Sequence, residues 1–199
     1  YEDDILQLKS STDLDNDALV VAWSPNFLAV TAGGLNIIDT DKDIAVYDFS
    51  KETLDTVLST ANCWSFGGTK VFRWEASGTY AIGFNAYYLY IHEYDADWVR
   101  TITASVIPVD GSTYMNDAAW SPDGNYVVAG VENGEIYVYA FDGSSLTEKD
   151  TVDIGTEVYS VDWINNFIVV GCDPDASNEQ VQVYEFDSVT ETISLLGNT

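Results

Sequence analysis

The side chains that most often carry out acid–base, nucleophilic and zinc chemistry are scarce in this chain of 199 residues. It has one histidine, His92, and two cysteines, Cys63 and Cys172, that are far apart in sequence. A Ser-His-Asp or Cys-His arrangement would have to be built on His92 alone, and a zinc site rich in His and Cys needs more ligands of these types. The sequence therefore predicts a protein that is not an enzyme, with no catalytic and no cofactor-binding residues.

Carboxylates are abundant, and two runs carry them at alternate positions. One run covers residues 13–17, and the other contains Asp39, Asp41 and Asp43. Alternate aspartates can surround a hard cation with oxygen ligands, as in the first half of a calcium-binding loop, but neither run has the glycine that the sharp turn of such a loop needs. Aspartate is also an ordinary loop residue. Two interpretations follow, a calcium site at Asp39, Asp41 and Asp43 or solvated loops without a cofactor, and the second is the one we expect.

An internal repeat explains the position of His92. A short apolar and aromatic segment recurs at intervals of 45 to 47 residues, and His92 stands where the other copies have Tyr47, Tyr139 and Tyr184. Self-similarity at this period, with four short strand-like runs in each repeat, is typical of β-propeller blades. We therefore expect His92 to fill space between blades. A tryptophan also ends the first run of each repeat, at Trp23, Trp74, Trp120 and Trp163.

Residues 118–142 show the repeat in its most compact form. Ser121-Pro122-Asp123-Gly124 has the residue types of a tight turn, and Asn133-Gly134 separates two strand-like runs as in a β-hairpin. Successive side chains of a strand point to opposite faces. The third strand is thus expected to contact both neighbouring blades, one through Ile136 and Val138, the other through Tyr137, Tyr139 and Phe141.

These turns make the chain resemble the WD-repeat β-propeller family. The matching residues are Trp23-Ser24-Pro25-Asn26 and Trp120-Ser121-Pro122-Asp123-Gly124, with Tyr47-Asp48 where the family has Trp-Asp. The Gly-His and Trp-Asp pairs of the family are absent, so the blades are expected to depend on aromatic packing. The resemblance implies an all-β fold, a β-propeller made of four-stranded antiparallel blades. The blades are expected at about residues 19–59, 71–106, 116–152 and 158–196.

Residues 1–10 are expected to end a preceding blade, as its leftover outer strand. Four complete blades and this strand suggest a piece of a larger propeller of seven or eight blades. Closure of a four-bladed ring, or completion of a ring by a second copy, are the alternatives.

Within the first complete blade, strands are expected over residues 20–23, 27–31, 44–49 and 53–58. A buried Trp120 should contribute roughly 3–5 kcal/mol to the free energy of unfolding.

Function is implied by the resemblance: a non-catalytic scaffold for protein–protein interaction that binds partners through its rim and loops. The loops at residues 33–43 and 173–179 and the pair Tyr87-Tyr88 are candidate contacts, because binding residues tend to lie on loops that project from a rigid frame. One alternative is a structural or extracellular acidic propeller that self-assembles. Another is a metal-dependent propeller hydrolase, which needs several carboxylates or histidines that converge on the axis.

Net charge limits the partners. The chain has 33 Asp and Glu residues against 7 Lys and Arg residues, a formal net charge of −26 at pH 7. A surface this negative repels nucleic acid, whose binding depends on lysine and arginine displacing counterions from phosphates. It favours basic proteins, divalent cations or a salty medium. The charge also fits a solvated acidic surface with no dedicated partner. For partners, we expect other proteins, with basic proteins and self-association as options, and no nucleic acid.

Membrane insertion is not expected, because the chain has no apolar stretch long enough to cross a bilayer. It opens with Tyr1 and acidic residues instead of an initiator methionine or a basic and apolar leader, as expected of a mature, processed or incomplete polypeptide. Cys63 and Cys172 fall in non-adjacent blades, so a disulfide between them is not expected. Cytoplasmic and extracellular locations both fit this composition.

Overall fold

The structure, a computed structural model, describes residues 18–23, 27–32, 44–48, 56–61, 71–84, 87–95, 100–107, 113–174 and 180–198. Over these residues the chain is all β, with sixteen strands in four antiparallel sheets of four strands each. Strands that are consecutive in the chain are neighbours in every sheet, and the first strands of successive sheets contact one another. Each sheet is therefore one blade, its first strand innermost and its fourth outermost. The fold class expected from the sequence, a β-propeller of four-stranded blades, is confirmed.

The four blades follow one another along the chain, and the strands are numbered in chain order. Blade 1 contains β1 (Ala18–Trp23), β2 (Phe27–Ala32), β3 (Ile44–Asp48) and β4 (Thr56–Ala61). Blade 2 contains β5 (Val71–Trp74), β6 (Tyr80–Phe84), β7 (Leu89–Tyr94) and β8 (Arg100–Val106). Blade 3 contains β9 (Met115–Trp120), β10 (Tyr126–Val131), β11 (Glu135–Phe141) and β12 (Leu146–Asp153). Blade 4 contains β13 (Val158–Ile164), β14 (Phe167–Cys172), β15 (Val181–Asp187) and β16 (Thr192–Asn198).

The outer strand of blade 1 differs from its prediction. The sequence places it over residues 53–58, whereas β4 begins at Thr56 and ends at Ala61. Cross-strand pairing sets the register of an antiparallel strand, and here Asp48 at the end of β3 pairs with Thr56. The described outer strand therefore lies three residues later in the chain than the sequence pattern predicted. The leftover strand predicted for residues 1–10 lies outside the described residues.

Two apolar seams join blades 2, 3 and 4. In the seam between blades 2 and 3, the aromatic residues of β9 and β11 pack against Ile82 and Ile91. In the seam between blades 3 and 4, Val128 and Val138 pack against a cluster that includes Trp163. The third strand of blade 3 divides between the seams as predicted. The earlier seam takes Tyr137, Tyr139 and Phe141, and the later one takes Ile136 and Val138.

Glycines with positive φ lie in the first two turns of blade 3. Gly124 has φ of 72° and Gly134 has φ of 93°, a left-handed region that costs glycine little. A Cβ atom on Gly134 would lie 2.8 Å from the backbone nitrogen of Thr156, so this turn also needs a residue without a side chain. The Ser-Pro-Asp-Gly motif thus separates β9 from β10, and the Asn-Gly motif separates β10 from β11.

Candidate functional site

The blades present two ends with different chemistry. We call one the capped end; it is formed by the turns that join first to second and third to fourth strands, at residues 75–79, 121–125, 142–145, 165–166 and 188–191. We call the other the tyrosine end. It is formed by the second-to-third-strand turns and the connections between blades, at residues 87–88, 113–114, 132–134, 154–157 and 173–174.

Carboxylates at the capped end are occupied by the backbone of their own turns. Glu75 is buried and accepts hydrogen bonds from the N–H groups of Ser77 at 2.7 Å, Thr79 at 3.0 Å and Tyr80 at 3.3 Å. Burial raises the pKa of Glu75, but these hydrogen bonds and one from the Ser77 hydroxyl outweigh burial and leave the pKa below its ordinary value. Asp123 caps the equivalent turn of blade 3 through the Ser121 hydroxyl at 2.6 Å.

The third-to-fourth-strand turns repeat this use of aspartate. Asp142 accepts hydrogen bonds from the N–H groups of Ser144 at 2.9 Å and Ser145 at 2.7 Å. These bonds lower the pKa of Asp142 to about 2. Asp187 accepts from the Val189 N–H at 2.8 Å, which lowers its pKa as well. The carboxylates of Asp142 and Asp187 thus stabilise the turns in which they lie.

The tyrosine end carries exposed aromatic rings beside acidic residues. Tyr87 and Tyr114 stack with ring centroids 5.2 Å apart, and Tyr88 stacks on Tyr90 at 5.8 Å. The carbonyl of Tyr114 accepts a hydrogen bond from the N–H of Glu132 at 2.9 Å. The hydrogen bond with Tyr114, together with burial and the nearby charge of Glu132, raises the pKa of Tyr87. A tyrosine pair and a carboxylate therefore lie together where blades 2 and 3 meet.

A second group of the same kind lies where blades 3 and 4 meet. The hydroxyl of Tyr159 donates to Asp173 Oδ1 at 2.9 Å, and this bond to a carboxylate raises the pKa of Tyr159 to about 12. The N–H of Asp173 donates to the Glu157 carbonyl at 2.9 Å, and Asn116 Nδ2 donates to Glu157 Oε1 at 3.1 Å. The three exposed tyrosines among the described residues all lie at this end: Tyr88, Tyr114 and Tyr159.

The basic side chains that the structure describes are engaged away from these rings. Arg73 pairs with Asp117 at 3.0 Å, and Lys149 pairs with Glu191 at 2.8 Å. An exposed ring face with carboxylates beside it attracts a lysine or arginine side chain, through cation–π contact and through charge. The tyrosine end has the chemistry to bind a cationic segment of another protein.

The inner strands hold one further polar cluster. Asp117 of β9 accepts two hydrogen bonds from Arg73 of β5 and one, at 3.0 Å, from the Val161 N–H of β13. Burial raises the pKa of Asp117, against the lowering effect of Arg73. Arg73 also donates to the Val161 carbonyl at 3.1 Å. The cluster ties three blades together beside an open groove of about 350 Å³, and its polar groups satisfy one another. We interpret it as structural.

His92 lies within the blade packing, as its repeat position predicts. It is fully buried in β7, on the sheet face opposite Leu89 and Ile91, with its ring stacked on Phe72 at 6.2 Å and tilted against Tyr90 at 6.1 Å. Gly83 allows this position, because a Cβ there would lie 3.2 Å from His92 Nε2.

Cys172 is buried at the end of β14, and Cys63 lies outside the described residues.

The candidate metal ligands Asp39, Asp41 and Asp43, and the acidic run at 13–17, lie outside the described residues. In the parts of the chain that the structure does describe, no group of three or more His, Cys, Asp or Glu side chains could hold a metal ion. The same parts contain no helix with the length and apolar character that crossing a bilayer requires.

Sequence reasoning found part of the tyrosine end. It singled out Tyr87-Tyr88 and the loop at 173–179, and the structure places both tyrosines and Asp173 at this end. The loop at 33–43 and residues 175–179 are not described. Sequence reasoning missed Tyr114, Tyr159 and Glu157. Each directly precedes or opens an inner strand, so position relative to the repeat was the signal that could have identified them.

Solved structures with the same fold include three propellers of different kinds. A chain of the mitotic checkpoint complex is 14% identical, with a TM-score of 0.69 over 91% of this chain and 53% of its own. The Myceliophteria thermophila Cps50 (Swd1) β-propeller domain is 11% identical, with a TM-score of 0.67 over 87% of this chain and 55% of its own. A candidate 6-phosphogluconolactonase from Bacteroides fragilis is 18% identical, with a TM-score of 0.70 over 90% and 53%.

At these identities the likeness shows the fold alone, since proteins of unrelated function share propellers. No family model matches the chain, and no curated protein matches it. The chain spans about half the length of the solved propellers that it matches.

Proposed function

We propose that this chain is a non-catalytic, WD-repeat-like interaction module whose tyrosine end binds a lysine- and arginine-bearing segment of a partner protein. The observation that carries the proposal is the stacked pair Tyr87 and Tyr114 beside Glu132, matched at the next seam by Tyr159 with Asp173 and Glu157. Tyrosine supplies a large rigid contact area and is enriched in interfaces. Carboxylates beside the rings select for cations.

The two ends of the propeller support the choice of surface. At the capped end, the carboxylates already accept hydrogen bonds from the backbone of their own turns. At the tyrosine end, Tyr88, Tyr114 and Tyr159 are exposed, and the carboxylates of Asp173 and Glu157 are bonded by neutral tyrosine and asparagine groups, which leave their charge unneutralised. A cation that docks there gains charge–charge attraction without breaking a turn.

Other functions have less support. A hydrolase would need a nucleophile or metal set, and the polar cluster at Arg73 and Asp117 has its hydrogen-bonding groups satisfied within the protein. The single histidine is packed between rings. Calcium at Asp39, Asp41 and Asp43 stays a prediction, and calorimetric titration with calcium tests it: absence of heat and of a change in melting temperature would remove it.

Binding of a synthetic peptide that alternates lysine or arginine with glycine tests the proposal. We expect Tyr114→Ala to weaken binding by about tenfold, as expected for an aromatic residue at the centre of an interface. Glu157→Gln should weaken it by about threefold and make binding less sensitive to salt. Isothermal titration calorimetry at two salt concentrations measures both effects.

A matched variant separates a specific site from the general attraction of an acidic protein. Glu148→Gln removes one negative charge from β12, away from the tyrosine end, and Glu148 is exposed. We expect it to leave peptide affinity within twofold of the parent. Equal losses in Glu148→Gln and Glu157→Gln, with none in Tyr114→Ala, would mean that net charge alone attracts the peptide and would overturn the proposal.

A further inference from the structure

Blade 4 has one covered face and one exposed apolar face. Its covered face, which includes Trp163, packs against blade 3. On the other face, cross-strand pairing puts Asp162, Val169 and Val183 in one row, with Val181 in the next row. Val169 is 38% exposed and Val181 is 42% exposed. The blade therefore ends the described stack with valines open to solvent.

The apolar residues of the same row are buried in each of the two preceding blades. In blade 3 the row is Ala119, Val128 and Val138, and both valines are 0% exposed. In blade 2 the corresponding pair, Ile82 and Ile91, is also 0% exposed. In its second and third strands, at Val169 and Val183, blade 4 thus keeps the apolar residue types that the preceding blades place against a following blade. Asp162 replaces the inner alanine, and its carboxylate is 3.4 Å from Arg73.

Blade 1 carries the other half of such a seam. Between blades 3 and 4, the valine row is covered by a face that contains Trp163, which pairs with Ile168 across the sheet. Trp23 of blade 1 holds the same repeat position and pairs with Leu28. Trp120 and Trp163 are 8% and 7% exposed, whereas Trp23 is 60% exposed. Trp23 is therefore exposed at the repeat position that Trp120 and Trp163 use to fill a seam.

We infer that two copies of this chain assemble head to tail, with blade 4 of each copy packed against blade 1 of the other. The arrangement has two-fold symmetry, forms two equivalent new seams, and covers the exposed valines of blade 4 and Trp23 in one eight-bladed ring. The chain spans 53% to 55% of the solved propellers that it matches, so two copies supply about the material of one full ring. This inference does not depend on the proposed peptide site, which lies at the ends of the blades.

Sedimentation equilibrium of the chain tests the assembly. We expect a mass of twice 21.9 kDa at physiological ionic strength, and weaker association in low salt, because both copies are strongly acidic. A mass of 21.9 kDa at every concentration would overturn the inference and would leave the two faces to another occupant, such as further blades of a longer polypeptide.

Matched substitutions locate the seam. Val169→Asp places an unpaired charge in the seam and is expected to weaken the dimer at least about thirtyfold. Val189→Asp makes the same change at a valine that is 90% exposed in the turn between β15 and β16, and it should leave the dimer unchanged. Circular dichroism and melting curves verify that both variants are folded. Equal dimerisation of the two variants would overturn the inference.

A mixing experiment tests the head-to-tail arrangement. Trp23→Asp should weaken association as Val169→Asp does, because each variant damages one side of both seams. Mixing the two variants restores one intact seam in a heterodimer, so we expect the mixture to associate more strongly than either variant alone. A Trp23→Asp variant that dimerises like the parent, or a mixture that stays monomeric, would contradict the contact between blade 4 and blade 1.

Discussion

The two ends of this propeller use the same residue types for opposite purposes. At the capped end, Glu75 and Asp142 accept backbone N–H groups and have lowered pKa values. At the tyrosine end, Asp173 accepts a tyrosine hydroxyl, and it is the pKa of Tyr159 that is raised. A carboxylate that accepts hydrogen bonds from the backbone of its own turn stabilises that turn. A carboxylate that accepts a hydrogen bond from an exposed tyrosine hydroxyl holds its negative charge at the protein surface. Acidity by itself therefore does not locate a binding surface.

The largest effect is expected from Trp120→Ala, which tests whether the stability of both ends depends on the seam between blades 2 and 3. Trp120 is buried between blades 2 and 3, and its Nε1 donates to the Arg73 carbonyl at 3.2 Å. Trp120→Ala should lower the free energy of unfolding by about 3–5 kcal/mol, because it leaves a cavity in the seam. Chemical denaturation measures the loss, and hydrogen exchange should show faster exchange at both ends. A variant that melts within a degree or two of the parent would contradict this account of the seam.

Equal charge changes at the two ends should have unequal effects. Glu75→Gln weakens three hydrogen bonds from backbone N–H groups to a buried carboxylate, so we expect a loss of about 2 kcal/mol. Glu157→Gln keeps an oxygen that can accept from Asn116, and we expect a loss below about 1 kcal/mol. Denaturation of both variants by urea gives the comparison. Similar losses of stability in the two variants would show that carboxylates contribute equally to folding at both ends.

Lowering the pH is expected to destabilise a turn at the capped end. The pKa of Asp142 is about 2 in the folded protein against 3.8 ordinarily, so its stabilising effect is present above pH about 4 and is lost as the pH falls through about 2. Asp142→Asn should therefore melt below the parent at pH 7, and the two melting temperatures should converge near pH 2. Melting curves over this range test the prediction, and a difference independent of pH would refute it.

Raising the pH is expected to weaken a hydrogen bond at the tyrosine end, and this is the smallest of the predicted effects. The pKa of Tyr159 is about 12 when folded against 10.0 ordinarily, so its bond to Asp173 stabilises below pH about 10 and is lost as the pH rises through about 12. Asp173→Asn should bring the ionisation of one tyrosine back toward pH 10. Ultraviolet titration of tyrosinate measures this shift, and identical titration curves for parent and variant would exclude the bond.

Much of the fold could be predicted from the sequence because its signals are local. Alternation along β11 predicted which side chains enter each seam, and Asn133-Gly134 predicted the turn before it. Position in the repeat also predicted the burial of His92. The start of β4 was missed, because pairing of Asp48 with Thr56 sets it and no local pattern records that pairing.

The candidate site was predictable only in part, because its members come from different blades. Tyr87 was identified from its aromatic neighbour, but its stacking partner Tyr114 is in the next blade. Nothing in the residues next to Glu75 indicates that its carboxylate accepts hydrogen bonds from the backbone of its own turn. Arg73 and Asp117 are likewise joined only by the packing of inner strands.

The sequence by itself determined the blades of this protein. A period of two within strands, glycine and asparagine at turns and one tryptophan per repeat specify four-stranded sheets with two apolar faces, because these are properties of neighbouring residues. The tertiary structure alone decided which side chains meet. Stacking of the blades gathers Tyr87, Tyr114 and Glu132 at one end and leaves Val169 and Trp23 exposed at opposite ends of the stack, since contacts between blades depend on docking that local sequence does not encode.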